Sequence, residues 1–350
     1  PANPEVQTYL DSLFREIVER YDVDGLQLDY IRYPIQKSAN QYFGYGTAAR
    51  KQFQDLTGVD PIGLTPQSDS SLWRLWIDFR TAQVSTFVNR ISQTLREAKP
   101  DIILSAAVFP EPTPERVRIM QQDWEAWATA GKLDVLVPMT YALNTRRLQQ
   151  LVEPALGEVK NAPVLFVPSL NLMSLPQVQL RDQLQAVRDL PAGGYSLFAM
   201  AHLNDNQQQL LGQAASASEL IPFRQPVRTA VERFGALKKE WDFLAERKQI
   251  WVPEFSIQPW QNQTKRTQAA LETLMKQQSV GWVQTARAEL EKSRKGLNEW
   301  LRLERLMRPY RMQTWDNRLQ ALDTLLRYAE ARLSRQSTQA KSGKSVTTGL

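Results

Sequence analysis

Apolar positions along this chain follow two different rhythms. In the first two-thirds, five short apolar runs read as strands: VDGLQLDY (23–30), IILSAAVFP (102–110), DVLVPMTYA (134–142), VLFVPSLN (164–171) and GYSLFAM (194–200). Amphipathic stretches near 71–98, 114–130, 146–160 and 176–190 separate them. The last four runs recur about every 30 residues, the span of a βαβ unit, which predicts a parallel sheet with right-handed crossovers. A helix over 4–20 opens the chain, with Asn3 able to cap it and Pro4 at its first position. Beyond residue 224 the pattern turns wholly helical, over about 226–249, 264–278, 281–306 and 312–334. There Leu297, Trp300, Leu301, Leu303 and Leu306 recur at helical spacing between Lys and Arg. The final SRQSTQAKSGKSVTTGL is polar and is expected to be disordered. The expected organisation is an α/β region over 1–223, a basic helical module over 224–335 and a tail over 336–350.

Charge sharpens that division. The 350 residues carry 43 Lys/Arg and 37 Asp/Glu, a net +6. Residues 224–350 hold 24 Lys/Arg against 13 Asp/Glu, which is +11, leaving 19 against 24, or −5, for residues 1–223. Such asymmetry suggests different tasks for the two regions. No run of about 18 apolar residues is present to span a bilayer. The chain begins Pro-Ala-Asn-Pro, without Met or a signal-peptide pattern, so the N-terminus does not indicate a compartment.

Composition narrows the chemistry. Cysteine is absent, which excludes disulfides, thiolate zinc sites and cysteine nucleophiles. The single histidine, His202, cannot build a multi-histidine metal site and leaves little room for a Ser-His-Asp arrangement. Carboxylates are the expected acids and bases, with no metal and no cofactor.

The first strand shows where such a carboxylate could act. Asp24 and Asp29 lie five apart, on opposite faces, because strand side chains alternate. Leu26 and Leu28 share the side of Asp24, while Gly25, Gln27 and Asp29 share the other. In parallel α/β folds ligands sit beyond the carboxyl ends of the strands. The ends here supply Asp29, Arg32 and Tyr33, then Glu111, Tyr141, Asn171 and His202. Aromatic faces can stack on sugar rings, Asn and Arg can bind hydroxyls, and a carboxyl group can protonate a glycosidic oxygen. Asp24 and Asp134 stand at strand beginnings, where structural hydrogen bonding is the expected role.

The stretch NPEVQTYLDSLFREIVERYDVDGLQLDYIRYP closely resembles the central motif of bacterial glycosyl-hydrolase-like family ten. The resemblance continues through RISQTLREAKPDIILSAAVFP, QDWEAWATAGKLDVLVPMTYA and GGYSLFAM, over roughly residues 1–220. It implies a TIM-like (β/α)₈ barrel, glycosidase activity and a bacterial envelope polysaccharide as substrate, such as peptidoglycan glycan strands stripped of stem peptides. It also implies a periplasmic or extracellular location. Asp29 falls on the motif's end-of-strand aspartate and is expected to be catalytic, with Arg32 and Tyr33 shaping the site. Such proteins carry about three βα units before the opening helix. The five strands here are therefore expected to be strands four to eight of a partial barrel, followed by an all-α region.

Other readings stay open. Asp29 could instead cap a loop or pair with Arg32. As a catalyst it could be a general acid/base or, with Arg32 lowering its pKa, a nucleophile or stabilising carboxylate. Glu111, in FPEP, is the candidate second carboxylate, and Tyr141 and Asn171 are candidate substrate contacts. A non-catalytic carbohydrate-binding or scaffold protein is the competing function. For the basic helices the first reading is a solvated charged face; attachment to an anionic envelope polymer or membrane surface is the alternative, and no nucleic-acid-binding signature is present.

Overall fold

The computed structural model describes residues 1–36, 42–173, 175–214 and 220–346. Helix α1 (Pro4–Arg20) leads into strand β1 (Gly25–Leu28). Asn3 caps α1 by accepting the backbone N–H groups of Glu5 and Val6, with Pro4 next to it. After α2 (Thr47–Thr57) come α3 (Ser70–Ala98), β2 (Ile103–Val108), α4 (Thr113–Met120), α5 (Trp124–Thr129) and β3 (Val135–Pro138). Then follow α6 (Thr145–Val159), β4 (Leu165–Phe166), β5 (Ser169–Asn171), α7 (Gln177–Asp189), β6 (Ser196–Phe198) and α8 (Asp205–Ala214). The remaining helices are α9 (Pro226–Glu246), α10 (Glu254–Lys276), α11 (Val280–Trp300), α12 (Arg302–Met307) and α13 (Pro309–Val346). Helix α13 extends to Val346, through a polar stretch that holds no proline to stop it. Residues 37–41, in the long loop after β1, lie outside the described residues.

All pairings are parallel, in the order β1-β2-β3-β4, with β5 beside β6. The run expected as one strand over 164–171 is divided at Pro168. Proline has no N–H to give a ladder, and the chain changes partner there. Val167 N–H still donates to Leu136 O on β3, whereas Pro168 O accepts from Ser196 at the start of β6. Five strand positions therefore follow chain order. Among the described residues they form an open arrangement with β1 at an edge, so the closed eight-stranded barrel implied by the resemblance is not formed by them. Gly25 permits the β1–β2 approach, since a Cβ there would lie 2.5 Å from the carbonyl oxygen of Ile103.

Strand alternation sorts two cores. Leu28, Leu104, Ala106, Val108, Leu136 and Phe166 share one with Val88 and Ile91 of α3, Trp124 and Trp127 of α5, and buried residues of α6 and α7. The residues of opposite parity, Ile103, Val135 and Leu165, share a second core with Val227, Ala230 and Phe234 of α9 and Leu322, Leu325 and Leu326 of α13. Helices from beyond residue 224 thus cover the beginning of the second sheet face. Toward the carboxyl ends that face opens: Val137 and Val167 are half-buried and Gln27 is exposed. Part of the basic excess of these helices is spent across this junction. Arg224 pairs with Asp24 at 2.5 Å and Arg335 with buried Asp134 at 2.6 Å, while Arg233 donates to Gly193 O at 3.1 Å.

Candidate active site

The open half of the second face ends in the loop after β1. Asp29 has the same parity as Gly25 and Gln27 and is exposed at the carboxyl end of the strand. Its Oδ1 accepts the backbone N–H of Tyr30 at 2.7 Å, a contact that fixes the carboxylate as the chain turns. Tyr30 takes a left-handed φ of 51° and projects its ring outward. Arg32 does not ion-pair with Asp29 among the described residues. Its guanidinium instead lies between the rings of Tyr30 and Phe109, 5.1 and 5.0 Å from their centroids, and donates to Tyr33 O at 3.0 Å. Of the two alternatives, capping a loop or pairing with Arg32, the second is not seen, and the stacking of Arg32 links the β1 and β2 loops.

Tyr141 lies beyond the end of β3 and is half-buried. Burial raises its phenol pKa above the ordinary value; a hydrogen bond with Ser169 opposes the rise, and the Asp29 charge adds to it. The ring of Tyr141 stacks on Phe198 at the end of β6, with centroids 5.5 Å apart and planes 24° from parallel. Phe198 is about half exposed, so the pair offers an aromatic surface at the carboxyl ends of β3 and β6. Ser105, on the same face as Gln27, donates to Gln27 Oε1 at 3.2 Å.

The remaining candidates are less uniform. Glu111 lies past the end of β2 and is half-buried, with Oε2 enclosed and without a hydrogen-bond partner. Its backbone carbonyl accepts from Arg116. Asn171 Oδ1 accepts the N–H of Met173 at 2.9 Å, so part of its hydrogen-bonding capacity serves the local turn. Tyr33, expected among the substrate contacts, is only 3% exposed. Its phenol is pushed up to about 12 by burial, against a smaller opposing effect of Arg80. The ring therefore supports the loop from beneath. His202 occupies a short 3₁₀ turn after β6. Among the described residues, no group of three or more His, Asp or Glu is placed to hold a metal.

The sequence profile of the glycosyl hydrolase-like 10 family matches residues 1–185, more than half of the chain. The chain belongs to the glycosyl hydrolase-like 10 family. It is similar to the glycosyl hydrolase YngK of Bacillus subtilis (strain 168), with 24% identity over 181 residues, or 47% of this chain and 32% of that protein. The chain thus spans about a third of the length of this curated relative. Among solved structures, the PgaB (BpsB) glycoside hydrolase domain from Bordetella bronchiseptica aligns with a TM-score of 0.49 and 14% identity, over 63% of this chain and 64% of that one.

In this glycosyl hydrolase-like 10 chain, sequence reasoning passed over the residues that hold the rim together. Gln122 is fully buried; its Oε1 accepts Phe109 N–H at 2.8 Å and its Nε2 donates to Ile31 O at 3.3 Å. One side chain thereby ties the segment after Asp29 to the segment before Glu111. Arg116, also buried, donates to Gln122 O at 2.6 Å and pairs with Glu125. Arg80 reaches Gln36 Oε1 at 3.2 Å and Phe43 O at 2.8 Å. A buried Arg on the apolar stripe of α3 was the available signal, since such a residue needs partners.

Proposed function

We propose that this chain forms the carboxyl-end part of a glycoside hydrolase site that cleaves a bacterial envelope polysaccharide, such as denuded peptidoglycan glycan strands. The carrying observation is Asp29, exposed just past the end of β1, together with the Tyr141–Phe198 stack at the carboxyl ends of β3 and β6. A sugar ring on that aromatic surface would place a glycosidic oxygen near a carboxyl group. In this reading Asp29 is the general acid/base or the stabilising carboxylate, and Glu111 is the candidate partner. Two features support Glu111: its position past the next strand end and its enclosed, unpartnered Oε2. Tyr141 and Asn171 would contact hydroxyls, and Arg32 would hold Tyr30 in place as a flanking ring. The strand order, with every connection following the chain, supports a partial (β/α)₈ arrangement. The periplasm or cell exterior is the compartment where such a substrate is found.

The test is cleavage of purified glycan strands freed of stem peptides, followed by chromatography of the products. The intact chain is expected to shorten them, and Asp29→Asn to lower the rate by roughly 10²–10⁴-fold, the usual contribution of a positioned acid or base. Equal rates would remove Asp29 from the mechanism. A second reading, carbohydrate binding without cleavage, is favoured by the exposed rings of Tyr30 and Phe198, which suffice for stacking. It predicts glycan binding by the intact chain with no shortened product.

A further inference from the structure

The end of the helical region where α9 passes into α10 carries apolar side chains that the described residues leave substantially exposed. Phe243, Trp251 and Phe255 belong to this turn, and Phe255 is 80% exposed. Helix α12 is held against the same turn through Glu304, which is fully buried. Glu304 accepts the Trp251 N–H at 3.0 Å and pairs with Arg308 and Arg311, both of which also donate to Gln249 O at 3.1 Å. With Glu304 facing inward, Leu303, Leu306 and Met307 form an outward i, i+3, i+4 stripe, and the last two are 73% and 67% exposed. Six large apolar residues thus lie at one end of the helical region, on two segments joined by the Trp251–Glu304 contact across 53 positions.

Cations surround them. Residues 243–255 and 301–311 together hold six Lys/Arg against three Glu, and one of those glutamates is the buried, paired Glu304. Arg247 lies over the Phe243 ring, 4.5 Å from its centroid, with Lys248 next to it in the chain. Arg302 and Arg305 flank the α12 stripe. A protein partner of the globular kind would bury these rings against a matching apolar pocket and would have to leave the basic rim paired or solvated. A bilayer with anionic headgroups satisfies both parts at once. Aromatic and aliphatic side chains enter the headgroup–acyl boundary, while long cationic side chains stay at the phosphate level. Among the described residues no helix is long and apolar enough to cross a membrane, so the contact would lie on the surface.

We propose that this tip, formed by the α9–α10 turn and α12, docks on an anionic lipid bilayer, with Trp251, Phe255, Leu306 and Met307 inserting and Arg247, Lys248, Arg302 and Arg305 binding headgroup phosphates. The inference is independent of glycan cleavage, and its test does not measure cleavage. The full 350-residue chain is sedimented with vesicles of phosphatidylcholine containing phosphatidylglycerol and with vesicles of phosphatidylcholine alone. The expected result is binding that requires phosphatidylglycerol and weakens as salt rises from about 0.1 M to about 1 M. Phe255→Ser with Leu306→Ser is expected to lower the partition coefficient by roughly tenfold or more. Both side chains are exposed, and unchanged circular dichroism and thermal midpoint show that the double variant folds. Arg302→Gln with Arg305→Gln separates charge from insertion by reducing the dependence on phosphatidylglycerol. Absence of vesicle binding, equal binding to neutral vesicles, or full retention of binding by the serine variant overturns the proposal. So does a concentration-dependent dimer in sedimentation velocity that the serine variant abolishes while vesicle binding is absent.

Discussion

Arg335 Nη2 donates to Asp134 Oδ1 at 2.6 Å, joining the last helix to the beginning of β3 across 201 positions of chain. Asp134 Oδ2 accepts the Leu104 N–H at 3.0 Å and faces Arg96 Nη2 at 3.4 Å, so one buried carboxylate links β2, β3, α3 and α13. Removing it leaves two guanidinium groups and a backbone donor short of a partner. Asp134→Ala is expected to lower stability by about 3–5 kcal/mol, the usual loss when one member of a buried pair is deleted. Urea unfolding followed by tryptophan fluorescence measures it; a loss under about 1 kcal/mol would mean that water replaces the carboxylate.

Gln122 bridges the two loops that carry Asp29 and Glu111. Gln122→Ala should cost about 1–3 kcal/mol, because Phe109 N–H then lacks an acceptor in a closed environment. The same variant should weaken glycan binding through displacement of the rim, and Gln122→Glu should restore the acceptor but not the donor to Ile31 O. Parallel unfolding and binding titrations separate the two effects.

The Tyr141–Phe198 stack yields a binding prediction. Phe198→Ala removes a half-exposed ring and its stacking on Tyr141, so stability should fall by roughly the 0.5–1.5 kcal/mol that an aromatic pair contributes, and affinity for the glycan should fall as the aromatic surface is lost. Isothermal titration with glycan oligomers reads this out. An unchanged affinity would place the sugar elsewhere on the rim.

Two buried phenols give a pH dependence. Tyr33 and Tyr328 are both pushed up to about 12 by burial, from the usual 10. Raised values mean that the folded state keeps protons that the unfolded chain releases. Their contribution is complete below pH 10 and is lost as pH rises toward 12, at most about 1.4 kcal/mol per pH unit for each group. Unfolding free energies measured across that window should fall, and Tyr33→Phe should flatten the decline. A slope unaffected by that substitution would assign the alkaline loss to other groups.

Much of the local structure was legible in the chain. The Asn3–Pro4 start of α1 and the helices over 70–98, 145–159 and 177–189 agree with the sequence reading to within a residue or two, because caps and 3.6-residue periodicity are local properties. The helical stretch expected over 114–130 instead contains two helices, α4 and α5. They are separated where Gln121 takes a left-handed conformation and Asp123 begins a new cap. Nothing in hydrophobic spacing marks that break.

The alternation in GLQLD assigned Asp29 to the face opposite Leu28; the strand ends at buried Leu28, and Asp29, the next residue, is exposed. What would cover each face was not local information. The helices beyond residue 224 showed an apolar stripe, but only folding decided that Ile103, Val135 and Leu165 would complete it. The same holds for Arg32, which exchanged a neighbouring carboxylate for two rings, and for Tyr33, which turned beneath the loop. An amphipathic side chain fits rim or interior equally well in sequence, and the choice falls to whichever distant segment packs against it.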